Sequence, residues 1–297
     1  MRIQAALVAA MFATYSSSAQ AELHYLIVGG LGGDSMYAER FADDVAEMAT
    51  AAERTLGDTA RVKVLTGDEA TRDAVRAALT DLGANSVPAD RIAVFLVGHG
   101  SYDGNEYKLN LPGEDIGATE LSELFAALPA QSQLIVNMTS ASGSVLEPWS
   151  GEGRAVITAT RSGAERNATR FAEHWAASLS SEDADINKNN SISVQEAFDY
   201  ASRLVADSYE SDGALATEHP ELRGDAASAF EISRLTARVA QTPELDELNG
   251  RLTDLEEQVA ALRLRRAELG DDYLSQLQTL LVDLALVQQQ IDAATAD

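Results

Sequence analysis

Short apolar runs alternate with longer amphipathic stretches over the first two thirds of the chain. LHYLIVGG (23–30), RVKVLTG (61–67), RIAVFLVG (91–98), QLIVNM (133–138) and RAVITAT (154–160) have the length and composition of strands. Between them, SMYAERFADDVAEMATAAERTL (35–56), EATRDAVRAALTDLGA (69–84) and TELSELFAALP (119–129) carry helical spacing. Strands that are apolar on both faces and alternate with helices predict an α/β/α sandwich around a mostly parallel sheet. The pattern changes after Pro243. Leu245, Leu248, Leu252, Leu255, Val259, Leu262 and Leu269 recur in steps of three and four, with Arg266 as the polar exception. A second phase follows at Leu277, Leu280, Leu284, Val287 and Ile291. This a/d spacing predicts a coiled coil over 244–293. Gly270 followed by two aspartates favours a hairpin of two helices, and a stutter in one helix is the alternative. The helices either pack on the domain as an accessory pair or join it to a second copy or a partner protein.

Residues 1–21 follow a separate logic. Arg2 precedes the apolar segment IQAALVAAMFATY, and small residues stand at Ala19 and Ala21. This is the pattern of a secretory signal cleaved after Ala21, which predicts an exported protein whose folded domain spans 22–235. The chain has 297 residues, 45% of them hydrophobic, enough for one large core plus an appendage. Its formal charge of −25 repels phosphate backbones and anionic lipid, which argues against nucleic-acid and membrane-surface partners. The chain contains no cysteine, so disulfides, thiolate metal ligands and a thiol nucleophile are all excluded.

Two strand ends carry candidate chemistry. RIAVFLVG runs into His99 and Gly100, and LIVNM runs into Thr139, Ser140, Ala141, Ser142, Gly143 and Ser144. Histidine moves protons near neutral pH, and a glycine beside it lets a backbone N–H approach a developing oxyanion. An apolar strand ending in His-Gly, followed by an apolar strand ending in x-S-G, resembles the caspase, gingipain and legumain superfamily of cysteine peptidases. VITATRSGAERNATRF (156–171) is similar to bacterial legumain-type sequences after the nucleophile strand. The resemblance covers about residues 22–206 and implies a caspase-like fold. It places the family's nucleophile at Ser140 and its general acid/base at His99, 41 residues earlier, near the roughly 50 of caspases.

The departure is the hydroxyl in place of a thiol. Serine ionises far less readily, and no Asp or Glu stands where its position would assign it to orient His99. Losing the nucleophile of a hydrolase triad costs about 10⁶ in turnover. The first expectation is therefore a pseudopeptidase that binds a peptide or protein ligand. The alternative is a serine hydrolase using Ser140 and His99, with the Gly100 and Ser140 amides as oxyanion hole. By the same resemblance, Arg161 is a candidate to read an acidic side chain of the ligand, with a surface ion pair as its other use.

A second site is expected at DINKNNSISVQE (185–196), which fits a calcium loop except at one position. Asp185, Asn187, Asn189, the Ser191 carbonyl, Ser193 through water and a bidentate Glu196 would be the ligands, with Ile192 as the apolar anchor. Asn190 replaces the turn glycine and tolerates a left-handed backbone. Two formal charges predict weak affinity, about 10⁻⁴–10⁻³ M. A metal-free turn capping the helix from Ser193 is the alternative. GGLGG (29–33) completes no nucleotide fingerprint and no organic cofactor is expected. His24, His174 and His219 are scattered, which argues against zinc, and Trp149 and Trp175 are expected in the core.

Overall fold

The computed structural model describes residues 21–224, 227, 229–236, 247–248, 251–252, 255, 258–259, 262 and 272–295. The leader expected over 1–21 lies outside these except for Ala21, as do Leu245, Arg266, Leu269 and the turn at Gly270.

Strand β1 (Leu23–Gly29) is buried along its whole length and leads into helix α1 (Ser35–Leu56). Asp34 caps α1, its Oδ1 accepting from the Met36 and Tyr37 amides, and Gly57 in the left-handed region ends it with an N–H to Glu53 O. The buried stripe of α1 includes Phe41, Asp44, Val45 and Met48, the three-and-four spacing of a helix laid on a sheet. Next come β2 (Val62–Leu65), α2 (Arg72–Asn85) and β3 (Arg91–Val97). A small antiparallel sheet of β4 (Gly100–Tyr102), β5 (Tyr107–Leu109) and β6 (Ile116–Gly117) then interrupts the alternation. It is followed by α3 (Ala118–Ala126), β7 (Ser132–Asn137), α4 (Leu146–Trp149), β8 (Arg154–Thr158) and α5 (Phe171–Ser178). The last elements of the domain are β9 (Ser191–Ser193), α6 (Val194–Ser211), β10 (Glu221–Arg223) and β11 (Glu231–Arg234).

The central sheet has the order β10-β8-β7-β3-β1-β2, parallel throughout except for β10 at the edge. Its two faces make two cores, as alternation along a strand requires. Tyr25, Ile27, Phe95 and Val97 pack with α1, α5 and α6, whereas Leu26, Val28, Val94 and Leu96 pack with α2 and α3. Trp175 is fully buried in the first core and Trp149 in the second. The predicted α/β/α sandwich with a mostly parallel sheet is therefore the fold. Strand β11 pairs with β9 and is tied to the core by Tyr25, whose hydroxyl donates to Ile232 O, and by Arg54, which donates to Arg234 O and Leu179 O.

Residues 237–297 form a second compact unit. Within it α7 (Asp272–Thr295) is a 24-residue helix. Its second-phase positions Leu277, Leu280, Leu284 and Ile291 are half-buried and Val287 is buried, while Leu274, Val282 and Leu286 are exposed. No helix among the described residues is long and apolar enough to cross a membrane.

Candidate active site

Strands β3 and β7 are parallel neighbours, and Leu96 lies opposite Asn137. Each chain runs three residues further, to His99 and Ser140, so the register carries both to the same end of adjacent strands. The strand order reverses between β1 and β3, and an open α/β sheet offers its ligand crevice where the order reverses. Gly98, with φ +139°, approaches Gly30 so closely that an added Cβ would lie 3.3 Å from the Gly30 Cα. The end of β3 thereby abuts the glycine-rich loop after β1.

That loop supplies what the sequence did not reveal. The Gly32 backbone lies close enough to the His99 ring to favour its protonated form. The ring is also held edge-on by Tyr37 and Phe41, with ring centroids 4.8 and 5.1 Å away. Burial lowers the His99 pKa below the usual imidazole value. The Gly32 backbone opposes this shift, Arg40 reinforces it and Asp34 opposes it. The lowered pKa favours the neutral imidazole, and Tyr37 and Phe41 hold its orientation.

Ser140 sits in a crowded turn. Ala141 has φ +56°, unusual for a residue with a Cβ, and its N–H donates to Glu165 O at 2.7 Å. Gly143 packs against the next strand's loop so tightly that a Cβ would lie 2.1 Å from the Ser162 N. The Thr160 hydroxyl accepts from the Gly143 amide at 2.8 Å. On the other side, a Cβ at Gly100 would fall 2.4 Å from Ser140 O and 2.5 Å from Thr139 Oγ1. Beneath lies a buried polar knot: Tyr107 Oη is 2.6 Å from Thr139 Oγ1 and 3.2 Å from Asn137 Oδ1. Burial pushes the Tyr107 phenol up to about 12, so it stays neutral.

The sequence implied a hydroxyl at the mouth of the cleft. Ser140 as a residue is only 3% exposed, with Gly100 packed against its backbone carbonyl, while its Oγ is not among the buried atoms lacking a partner among the described residues. Among the described residues its Oγ has no hydrogen-bond partner, His99 included. Asn110 N donates to His99 O, which makes Gly100 and Leu109 a non-hydrogen-bonded pair and leaves the Gly100 N–H outside the β4–β5 ladder.

Arg161 stands just beyond β8, and Glu165 occupies its side chain. The Arg161 Nε lies 3.1 Å from Glu165 Oε1, and its amide donates to Oε2 at 3.0 Å. Glu165 Oε1 also meets His219 Nδ1 at 2.6 Å. The cation nearer His99 is Arg40, which donates to Thr169 O and stacks over Tyr37 and Phe41.

The 185–196 loop lies apart from this cleft. Asn190 is left-handed, φ +62°, at the position where the motif needs its turn. Asp185 accepts from the Asn189 and Asn190 amides. Glu196 Oε1 accepts from the Ile186 and Asn187 amides and from Asn187 Nδ2, and Oε2 accepts from Ser193 N and Oγ in a capping box at the start of α6. The loop's candidate positions carry carboxylate, amide, hydroxyl and carbonyl oxygens, the ligand type of a hard cation, with the Asn187 amide nitrogen turned to Glu196.

The fold and this pair of strand ends define a caspase-like peptidase fold. The chain belongs to the Peptidase C13 family, whose family model matches residues 40–222. Among solved structures, the chain is similar to protein GSU0716 from Geobacter sulfurreducens, with 14% identity and a TM-score of 0.49, covering 73% of this chain and 99% of that one. It is also similar to the Drosophila initiator caspase Dronc, with 12% identity and a TM-score of 0.46, covering 71% and 81%. None of the curated proteins matches it.

Proposed function

We propose that this member of the family is a pseudopeptidase, which uses the peptidase cleft to bind peptide without cutting it at an enzyme's rate. The observation that carries this reading is that position 140 holds a hydroxyl in place of a thiol, and that among the described residues its Oγ makes no hydrogen bond to His99 or to any other base. A hydroxyl needs a base in contact with it to become a nucleophile, and a thiol much less so. The serine-hydrolase reading has one observation in its favour, a His99 ring held edge-on by Tyr37 and Phe41 at the strand end beside that of Ser140. In that reading His99 takes the Ser140 proton as Oγ attacks the carbonyl, and the Gly100 and Ser140 N–H groups receive the oxyanion. A fluorophosphonate probe and a peptide library separate the two. The expected result is retained but uncut peptide and no label at Ser140. Labelling that disappears in Ser140→Ala would overturn the pseudopeptidase reading.

We also propose, on the leader pattern at 2–21, that the protein works in an exported setting. We further propose that the 185–196 loop binds Ca²⁺ weakly. The internal hydrogen bonds of Glu196 must yield first, at about 1 kcal/mol each, consistent with millimolar-range affinity. Millimolar Ca²⁺ should raise the melting temperature of the wild type but not of Glu196→Gln. Equal melting temperatures with and without Ca²⁺ would sink this reading.

A further inference from the structure

On the side of β3 away from β7, the loops after β1 and β2 enclose a pocket of about 340 Å³ that the catalytic residues do not use. That size is in the range of small-ligand sites. It adjoins His99 through two residues already described, Gly32 and Phe41, which line it. Ala38, Phe41 and Pro112 provide apolar surface, and Asp34 and Asp68 bring carboxylates to the same space. Neither aspartate is in an ion pair among the described residues. Asp34 spends Oδ1 on the Met36 and Tyr37 amides of α1, which leaves Oδ2.

The charge balance of the pocket has a clear sign. The start of α1 contributes about half a positive charge, whereas the two carboxylates contribute two full negative ones. Nothing lining the pocket is basic. An anionic side chain is repelled, and a neutral donor gains hydrogen bonds to the carboxylates without the charge attraction a cation adds. A long cationic side chain fits both halves: its aliphatic stem covers the apolar wall and its head reaches the carboxylates. The formal charge of −25 adds a long-range attraction of the same sign.

We propose that this pocket is a binding site for an arginine or lysine side chain, and that the peptides bound in the cleft carry a basic residue there. The second half of this statement rests on the peptide-binding reading. The test uses the full chain, isotopically labelled, with L-argininamide and its neutral isostere citrullinamide as probes. Argininamide should shift the Gly32 and Gly33 amide resonances, and citrullinamide should not. The effect should vanish in Asp34→Asn/Asp68→Asn, where asparagine retains the helix cap. A fluorescein-labelled alanine-rich peptide with one arginine should bind at least tenfold tighter than its citrulline twin, with the gap narrowing as salt rises. Equal responses to argininamide and citrullinamide in the wild type, or an unchanged response in the double variant, would overturn the pocket's assignment. Argininamide binding with neither peptide bound would instead overturn the peptide-binding reading, with the pocket's cation selectivity upheld.

Discussion

Asp44 is an acid in the wrong place for a stable fold at neutral pH. It lies on the buried stripe of α1, one turn beyond Phe41, is 5% exposed, and its Oδ2 has no hydrogen-bond partner. Burial pushes its carboxyl from 3.8 up to about 7. Arg40 opposes this shift, and Glu173, Glu47 and Asp43 reinforce it. The unfolded chain releases this proton near pH 4 while the folded chain holds it to about pH 7. Stability is therefore unaffected below pH 4, falls as pH rises between the two values, and is flat above. At 1.36 kcal/mol per unit the total loss is about 4 kcal/mol, an upper figure because surrounding groups relax. Asp44→Asn stays neutral at every pH. Its amide brings a fixed cost of about 1–3 kcal/mol if unpaired, so the informative quantity is the change in ΔΔG between pH 4 and pH 8.5, from which that constant cancels. Urea unfolding of both proteins at pH 4, 5.5, 7 and 8.5 should show the variant gaining on the wild type by several kcal/mol across the series. Parallel stability profiles, or a gain that grows toward acid, would refute the reasoning.

Gly100→Ala places a Cβ 2.4 Å from Ser140 O, and the overpacking should lower stability by about 1–3 kcal/mol, read as a lower urea midpoint. Glu165→Gln weakens the hold on Arg161 and His219 beside the Ala141 turn. It should lower stability by about 1 kcal/mol, a small figure because Arg161 is solvent-screened, and an unchanged melting temperature would refute it. Ser140→Cys introduces a thiol at a position where the hydroxyl has no hydrogen bond to His99. Its alkylation by iodoacetamide should rise with pH to an ordinary midpoint of about 8–9, and a midpoint below 7 would reveal an imidazole partner.

The legible parts of this fold are the ones whose burial leaves a period. A parallel strand covered on both faces must be apolar along its length, and such runs gave β1, β3, β7 and β8, whereas β2 lies at the sheet edge with Lys63 exposed. Strands β4, β5, β6, β9 and β10 were not legible, since two or three residues hold no periodicity. The register of β3 and β7 made the His99–Ser140 pairing readable, because each residue ends an apolar run. Gly32 was beyond reach for a different reason. It acts on the His99 pKa through its backbone, which every residue possesses, so no side-chain type could mark it. The partner of Arg161 was within reach, because Glu165 follows at a spacing of four, although the chain between them is a turn rather than a helix. Asp44 gave no sign of burial, since an aspartate beside Asp43 on an amphipathic helix reads as part of the solvated face.

The run of small hydroxyl residues from Thr139 to Ser144 has a packing explanation that does not depend on catalysis. Three segments converge on it: Gly100 against the Ser140 carbonyl, Arg161 and Ser162 against Gly143, and Glu165 against the Ala141 amide. Any larger side chain at the glycines would meet backbone, so bulk is excluded from geometry alone. Backbone groups buried in such a turn need partners that fit the same small space, and hydroxyls supply them: Thr160 takes the Gly143 amide, Ser144 donates to Ala141 O, and Thr139 bridges Asn137 and Tyr107. The turn can therefore keep its shape with oxygen at position 140. A cleft retained for binding needs the wall and the positions of its backbone donors, and both come from this packing. In the proposed pseudopeptidase reading, cleavage is what is lost, because a hydroxyl, unlike a thiol, needs a base held in contact with it to become a nucleophile.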